Sequence, residues 1–125
     1  MIRANDITQT WITGEGHAVK SHTTGNRYGL IVGVGITISS VTGAPNSAIT
    51  FRDADGQTII PDALCAVVAH NTKTFLLALS HKAVQDANFN PAPVSGPITV
   101  AIDPSADAGG AAQTLTVKVR LFIQD

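Results

Sequence analysis

The stretch RYGLIVGVGITISSVTGAPNSAITFR, residues 27–52, carries no charged side chain between its flanking arginines. Its apolar part, GLIVGVGITI at 29–38, is followed by a run rich in Ser, Thr, Gly, Pro and Asn. A membrane-spanning helix needs about 20 apolar residues, and a dinucleotide-binding loop needs a third glycine and a following helix. Because Ile and Val favour extended backbone, the stretch predicts a long β-strand, and we expect no membrane association.

Apolar residues occupy both odd and even positions of this predicted strand, so we expect both of its faces to be covered. Gly33 and Gly35 fall on the same face and leave it without side chains near its middle. A glycine pair of this kind indicates either a local bulge or bend within one sandwich, or close packing by a bulky residue of the facing sheet or by a neighbouring subunit's backbone. Both glycines are therefore candidate interface residues.

Further strands are predicted from period-two alternation. In TLTVKVRLFIQD (114–125), Leu115 to Ile123 alternate with polar residues, although Phe122 lies on the polar side. The segments ITVAID (98–103) and TKTFLLALS (72–80) also read as strands, and SAITFRDADGQTII (47–60) reads as a hairpin turning at DADG.

Other segments are less regular. PDALCAVVAHN (61–71) fits either a helix or a strand, with the strand favoured, and the same alternatives apply to residues 74–88. GEGHAVKSHTTGN (14–26) is expected to be a loop, and the prolines of NFNPAPVSGP (88–97) predict an extended surface connector.

The N-terminal segment is mostly polar, with Ile7 and Trp11 on one parity. Residues 1–13 are interpreted as an arm that makes contacts outside its own domain, because an exposed Trp is a common interface anchor. Under this interpretation, deleting the segment leaves the fold intact. The alternative is an ordinary edge strand of the same sandwich.

These patterns give about seven short strands separated by turns, without an internal repeat. Such a chain is typical of a single all-β domain, an antiparallel β-sandwich of immunoglobulin-like or jelly-roll type over residues 1–125.

The composition is poor in charge. Of the 125 residues, 14% are charged and 44% are hydrophobic, and the net charge is −1. Soluble domains usually carry about 25% charged residues, so part of the surface is expected to be covered by other copies or a partner. The basic residues are scattered singly along the sequence, which does not suggest a nucleic-acid partner.

No catalytic or metal-binding motif stands out. Cys65 is the single cysteine and its nearest histidine is His70, but residues five apart on a strand face opposite sides. Asp53, Asp55 and Gly56 resemble the start of a calcium loop that lacks its distal Glu. We expect no enzymatic activity, cofactor or metal. The N-terminus lacks the order of a signal peptide, so synthesis in a reducing cytoplasm without secretion is expected.

Low charge, richness in Thr and Ala, the glycine-bearing strand and the polar N-terminal segment give the chain a resemblance to small all-β bacteriophage virion proteins of the decoration or cement type. This resemblance implies a virion protein, a homo-oligomer and often a trimer, that binds the major capsid protein or another virion protein and stabilises the shell. The candidate interface residues are Ile7, Trp11, Tyr28, Gly33, Gly35 and Phe122.

Two other functions are considered. A carbohydrate-binding or adhesive sandwich would stack sugars on exposed aromatic rings, and Trp11 and Tyr28 are the only Trp and Tyr in the sequence. An enzyme would have Cys65 as the nucleophile to test.

Overall fold

The computed structural model describes residues 1–78 and 89–125, and eight β-strands and one short 3-10 helix are found there. The strands are β1 (Ile2–Ile12), β2 (Lys20–Thr23), β3 (Arg27–Ile38), β4 (Ser47–Arg52), β5 (Thr72–Leu77), β6 (Ala92–Gly96), β7 (Thr99–Pro104) and β8 (Thr114–Gln124), and the 3-10 helix is Asp62–Cys65. The predicted all-β class is confirmed, and the described residues form eight strands where about seven were predicted.

The strands form two antiparallel sheets that enclose one apolar core. The large sheet has the order β1-β8-β3-β5, and β6 pairs with the first part of β3 on the same side as β5. The small sheet has the order β2-β7-β4. Core side chains come from both sheets, for example Val117 and Val34 from the large one and Ile49 and Val100 from the small one. The predicted antiparallel β-sandwich is therefore confirmed.

The pairing of the strands is nested. β1 pairs with β8, β2 with β7, and β3 with β6, all antiparallel. This is the order that results when a long hairpin wraps into two sheets, which is the jelly-roll arrangement. Of the predicted sandwich topologies, the jelly roll describes the chain. The departure from it is β5, which pairs with β3 in the large sheet.

Strand β8 lies between β1 and β3 and carries the most regular pattern in the chain. Leu115, Val117, Val119, Leu121 and Ile123 are buried, and the residues between them are half-buried. The predicted register of this strand is confirmed.

Strand β3 contains a bulge. Its pairing with β8 shifts between Ile31 and Gly33, so the inward positions change parity there. Ile31 lies on the core side before the shift, and Val34 and Ile36 lie there after it. The mixed parity of the apolar residues therefore reflects a bulge, which is the first interpretation of the glycine pair. The expectation that both faces are covered is wrong for the first part of the strand, where Tyr28 and Leu30 are exposed.

The N-terminal segment is not an arm. β1 pairs with β8 along its whole length, and Ile7 and Trp11 are only 4% and 1% exposed. The Trp11 indole Nε1 donates a hydrogen bond to the Ala18 carbonyl at 2.9 Å. Ile7 and Trp11 share a parity because one face of this edge strand covers the core. The edge-strand alternative is confirmed.

Two predicted connections contain strands. Lys20–Thr23, inside the predicted loop 14–26, pairs with β7. Ala92–Gly96, inside the predicted connector, pairs with β3 and buries Ala92 and Val94. Pro93 is tolerated because, among the described residues, β6 pairs only with β3, and a strand paired on one side can lack one backbone donor.

The middle of the chain differs from the prediction as well. Asp62–Cys65 forms a 3-10 helix that follows Pro61, so the favoured strand for 61–71 is wrong. Proline suits such a start because its φ angle is already fixed near the helical value. Thr72–Leu77 is a strand as predicted. The rest of the prediction for 74–88, from residue 79 onward, lies outside the described residues.

The DADG turn is present, but the hairpin that it was expected to close is minimal. Asp53 Oδ1 accepts hydrogen bonds from the backbone N–H groups of Asp55 and Gln57, both at 2.9 Å, and Gly56 has a φ of +80°. A single bridge joins Arg52 to Thr58. The main partner of β4 is β7, because the nested topology pairs distant strands.

A carboxylate joins two loops at one end of the sandwich. The Asp107 side chain accepts hydrogen bonds from the backbone N–H groups of Gly109 (2.9 Å), Gly16 (3.0 Å) and Gly14 (3.1 Å). These hydrogen bonds stabilise the ionised form and lower the pKa of Asp107 below its ordinary value, Gly109 having the largest effect. The carboxylate thus ties the β1–β2 loop to the β7–β8 loop.

We expect Asp107→Asn to lower the melting temperature at neutral pH and to have little effect in strong acid. Because the folded-state pKa lies below the unfolded one, the stabilisation is complete above the ordinary value of 3.8 and is lost as the pH falls through the lowered value. Melting curves of both proteins from pH 7 to pH 2 test this. Asp103→Asn, at an exposed carboxylate on β7, is the control. An Asp107→Asn deficit that is the same at both pH extremes would contradict the assignment.

Candidate interaction surface

The outer face of the large sheet brings together residues that are far apart in sequence. The strand registers place them in three cross-strand rows. The rows are Ala4, Phe122, Gly33 and Leu77; then Asp6, Arg120, Gly35 and Phe75; then Thr8, Lys118, Thr37 and Lys73. The face is apolar at one end and charged at the other.

Two phenylalanines cover the glycines at the centre of this face. The rings of Phe75 and Phe122 have centroids 5.4 Å apart and are tilted by 60°. A Cβ atom at Gly33 would lie 3.1 Å from Phe75 Cζ and 3.4 Å from Phe122 Cδ2, so a side chain there would push the rings away. The bulky groups over the glycines thus come from neighbouring strands of the same sheet.

The apolar surface continues past the bulge. Leu30 and Ile2 both lie in register with Gln124, and Tyr28 lies two positions before Leu30 on the same side of β3. Their exposed fractions are 39% for Leu30, 49% for Ile2 and 63% for Tyr28, and that of Phe75 is 51%. We call Ile2, Tyr28, Leu30, Phe75 and Phe122 the apolar patch. Exposed apolar clusters with polar rims mark interaction sites in soluble proteins.

A charged cluster borders the patch. The Arg120 guanidinium donates hydrogen bonds to both Asp6 carboxylate oxygens at 2.6 and 2.9 Å, and Lys118 Nζ lies 3.4 Å from Asp6 Oδ2. The hydrogen bond from Arg120 is the main cause that lowers the pKa of Asp6 to about 2. With Lys73, this end of the face carries more positive than negative charge, although the whole chain is slightly negative.

The predicted interface residues separate into two groups. Tyr28, Gly33, Gly35 and Phe122 lie on the outer face of the large sheet. Ile7 and Trp11 lie in the core and do not contribute to an exposed surface. The correction follows from β1, whose odd positions face inward along its pairing with β8.

Sequence reasoning missed Ile2, Leu30 and Phe75. Phe75 and Leu76 are adjacent and both apolar, so the sequence does not show which of them faces the core. The register of β5 on β3 determines this, with Leu76 inward opposite Val34 and Phe75 outward opposite Gly35. Leu30 is outward because the bulge changes the parity of β3.

Cys65 does not have the environment of a nucleophile. It is buried, and that burial, followed by the nearby Asp62 carboxylate, raises the pKa of the thiol to about 11. A protonated thiol is a poor nucleophile at neutral pH. His70, the histidine nearest to Cys65 in the sequence, uses its Nε2 atom to accept a hydrogen bond from the Val41 N–H at 3.3 Å.

Within residues 1–78 and 89–125, no group of three or more His, Cys, Asp or Glu side chains is arranged to hold a metal ion. The same residues contain no helix with the length and hydrophobicity needed to span a bilayer.

Comparisons with known proteins find only weak structural similarity. The chain matches no family model and no curated protein. Among solved structures, it is similar to chains of infectious bursal disease virus, with 15% identity and a TM-score of 0.44 for the Gt strain and 12% and 0.38 for the Gx strain. The alignments cover 99% of this chain in both cases, but only 33% and 32% of the viral chains. The chain thus spans about a third of their length.

Proposed function

We propose that the protein is a structural component of a viral particle, a decoration or cement protein that binds the shell and stabilises it. The observation that carries the proposal is the apolar patch on the outer face of the large sheet. The jelly roll is compatible with this role, since viral capsid domains use it, but lectins use it as well. The fold alone therefore does not decide the function.

The patch has the composition of a contact surface. Phe75 and Tyr28 are large and more than half exposed, and aromatic side chains are enriched at interface hot spots. Burying a large apolar side chain contributes about 1.5–3 kcal/mol. The neighbouring Asp6, Arg120 and Lys118 would form a polar rim, which sets orientation more than affinity.

The proposed partners are further copies of this chain and a shell protein such as the major capsid protein. A sheet face can pack against a second sheet with the strands nearly aligned, which buries a broad area without rearranging the backbone. The resemblance to phage decoration proteins favours a homo-oligomer, with a trimer as the expected form. No catalytic role is proposed, because the buried Cys65 thiol lacks an activating environment.

We expect Phe75→Asp to abolish self-association and attachment to particles while the domain stays folded. The new carboxylate would replace a large exposed ring of the apolar patch and lose its hydration on binding. Multi-angle light scattering gives the solution mass, and cosedimentation with particles from the same source measures attachment. Val67→Asp is the matched control, because Val67 is 73% exposed and precedes Val68, which bridges to β4 of the small sheet. A monomeric wild type that does not attach, or an unaffected Phe75→Asp variant, would contradict the proposal.

A carbohydrate-binding function is the second candidate. Trp11 cannot serve as a sugar platform because it is buried in the core. Tyr28 is exposed and borders a groove, and that observation favours carbohydrate binding as the second candidate function.

A further inference from the structure

A polar groove opens beside Tyr28 where β1, β3 and β8 approach one another. Its volume is about 550 Å³, within the usual range of small-molecule sites. The polar side chains on its walls are Arg3, Asn5, Asn26, Arg27, Tyr28 and Asp125, and Ile123 also lines it. The outer-face residues Phe75 and Phe122 do not line this groove. It is therefore distinct from most of the apolar patch and shares only Tyr28 with it.

Arg27 is fixed in this groove without a carboxylate partner. Its Nε donates to Asn5 Oδ1 at 2.7 Å, and its Nη1 donates to the Asn26 carbonyl at 3.0 Å. Both acceptors are neutral, and no described Asp or Glu forms an ion pair with Arg27. The residue is half-buried, and its two acceptors leave part of the guanidinium available. An anion could accept hydrogen bonds from those remaining N–H groups.

Arg3 adds a second cation to the groove. Its Nη2 atom lies 3.4 Å from Asp125 Oδ2, and both side chains are about half or more exposed. An exposed pair of this kind is weak, on the order of 0–1 kcal/mol. Arg3 can therefore turn toward a bound anion at little cost, and a guanidinium binds a carboxylate through paired hydrogen bonds.

We infer that this groove binds the carboxylate of an acidic sugar, such as a hexuronate. Arg27, supported by Asn5, holds the carboxylate, and Arg3 assists it. The exposed Tyr28 ring provides an apolar face against which a sugar ring can lie. The NH₂ group of Asn5, whose oxygen already accepts from Arg27, and the side-chain amide of Asn26 can hydrogen-bond sugar hydroxyl groups. Sugar is favoured over an acidic peptide because one aromatic ring and two side-chain amides, those of Asn5 and Asn26, line the groove beside the arginines.

The test is a titration of the full chain, labelled with ¹⁵N, with D-glucuronate, D-glucose and acetate. Glucuronate should give saturable shifts at Arg27 and Tyr28, glucose much weaker ones, and acetate weaker ones than glucuronate. Arg27→Gln should weaken glucuronate binding at least about tenfold, since it removes a charged hydrogen-bond donor. Arg120→Gln, at an arginine on the outer face that does not line the groove, should bind like the wild type.

Other results would overturn the inference. One is the absence of saturable shifts with glucuronate. Another is that acetate or glucose binds as tightly as glucuronate. A third is that Arg27→Gln binds glucuronate with unchanged affinity. If Arg27→Gln fails to fold, Tyr28→Ala takes its place, since Tyr28 is exposed and its loss should also weaken binding. The inference does not depend on assembly, because Phe75→Asp should bind glucuronate normally even where it abolishes self-association.

Discussion

Val119→Asp should leave the protein unfolded. Val119 is fully buried at the middle of β8, opposite Ile7 of β1 on one side and Ile36 of β3 on the other. A carboxylate there has no polar partner nearby, and burying it would cost several kcal/mol. That cost is comparable to the whole stability of a small domain, about 5–15 kcal/mol. Since β8 joins both neighbouring strands, the loss would not stay local.

Lys118→Thr provides the comparison for Val119→Asp. Lys118 is adjacent in sequence but faces outward, where its ion pair with Asp6 is exposed and contributes about 1 kcal/mol or less. Thermal melts by circular dichroism should show a cooperative transition for Lys118→Thr near that of the wild type and none for Val119→Asp. Equal melting temperatures would show that the register of β8 is wrong.

A strand could be predicted from the sequence where one of its faces is buried along the whole strand. β8 could be predicted because every second residue from Leu115 to Ile123 is apolar, with Phe122 as the one apolar residue on the opposite face. β4 and β7 follow the same rule over shorter lengths. The bulge in β3 hides its alternation, because one extra residue moves the next side chains to the opposite face.

The elements that were missed are short or contain residues that are rare in strands. β2 has four residues, and three of them are exposed, so no apolar periodicity marks it. β6 contains Pro93, which reads as a connector unless its pairing with β3 is known. The 3-10 helix at Asp62–Cys65 is too short to produce a helical pattern.

The candidate surface could be predicted only in part for a related reason. Gly33, Gly35 and Phe122 were anomalies within single strands and could be noticed one at a time. Their neighbours on the surface come from β1 and β5, and only the strand registers bring Phe75 and Asp6 next to them. Arg3 and Arg27 likewise line the same groove only in the folded chain. In the sequence they are two of the scattered basic residues, and nothing there indicates a common site.

Residues 1–13, for which the predicted arm was wrong, also provide a test of the fold. We expect Trp11→Ala to lower the free energy of unfolding by about 3–5 kcal/mol, the usual loss when a buried Trp is truncated. Trp11 is 1% exposed, its indole N–H bonds the Ala18 carbonyl, and Lys20 Nζ lies 5.1 Å from its ring centroid. The β1–β2 connection would lose its anchor together with the core contact.

Ile12→Ala is the matched control for Trp11→Ala. Ile12 is the next residue of β1 but is 58% exposed and points away from the core. Its truncation should change the free energy of unfolding by less than about 0.5 kcal/mol, as is usual for exposed positions. Urea denaturation of both variants and the wild type measures the difference. If Trp11→Ala is as stable as Ile12→Ala but loses only self-association, the arm interpretation of residues 1–13 would be restored. A large loss for Trp11→Ala alone would establish β1 as part of the core in solution.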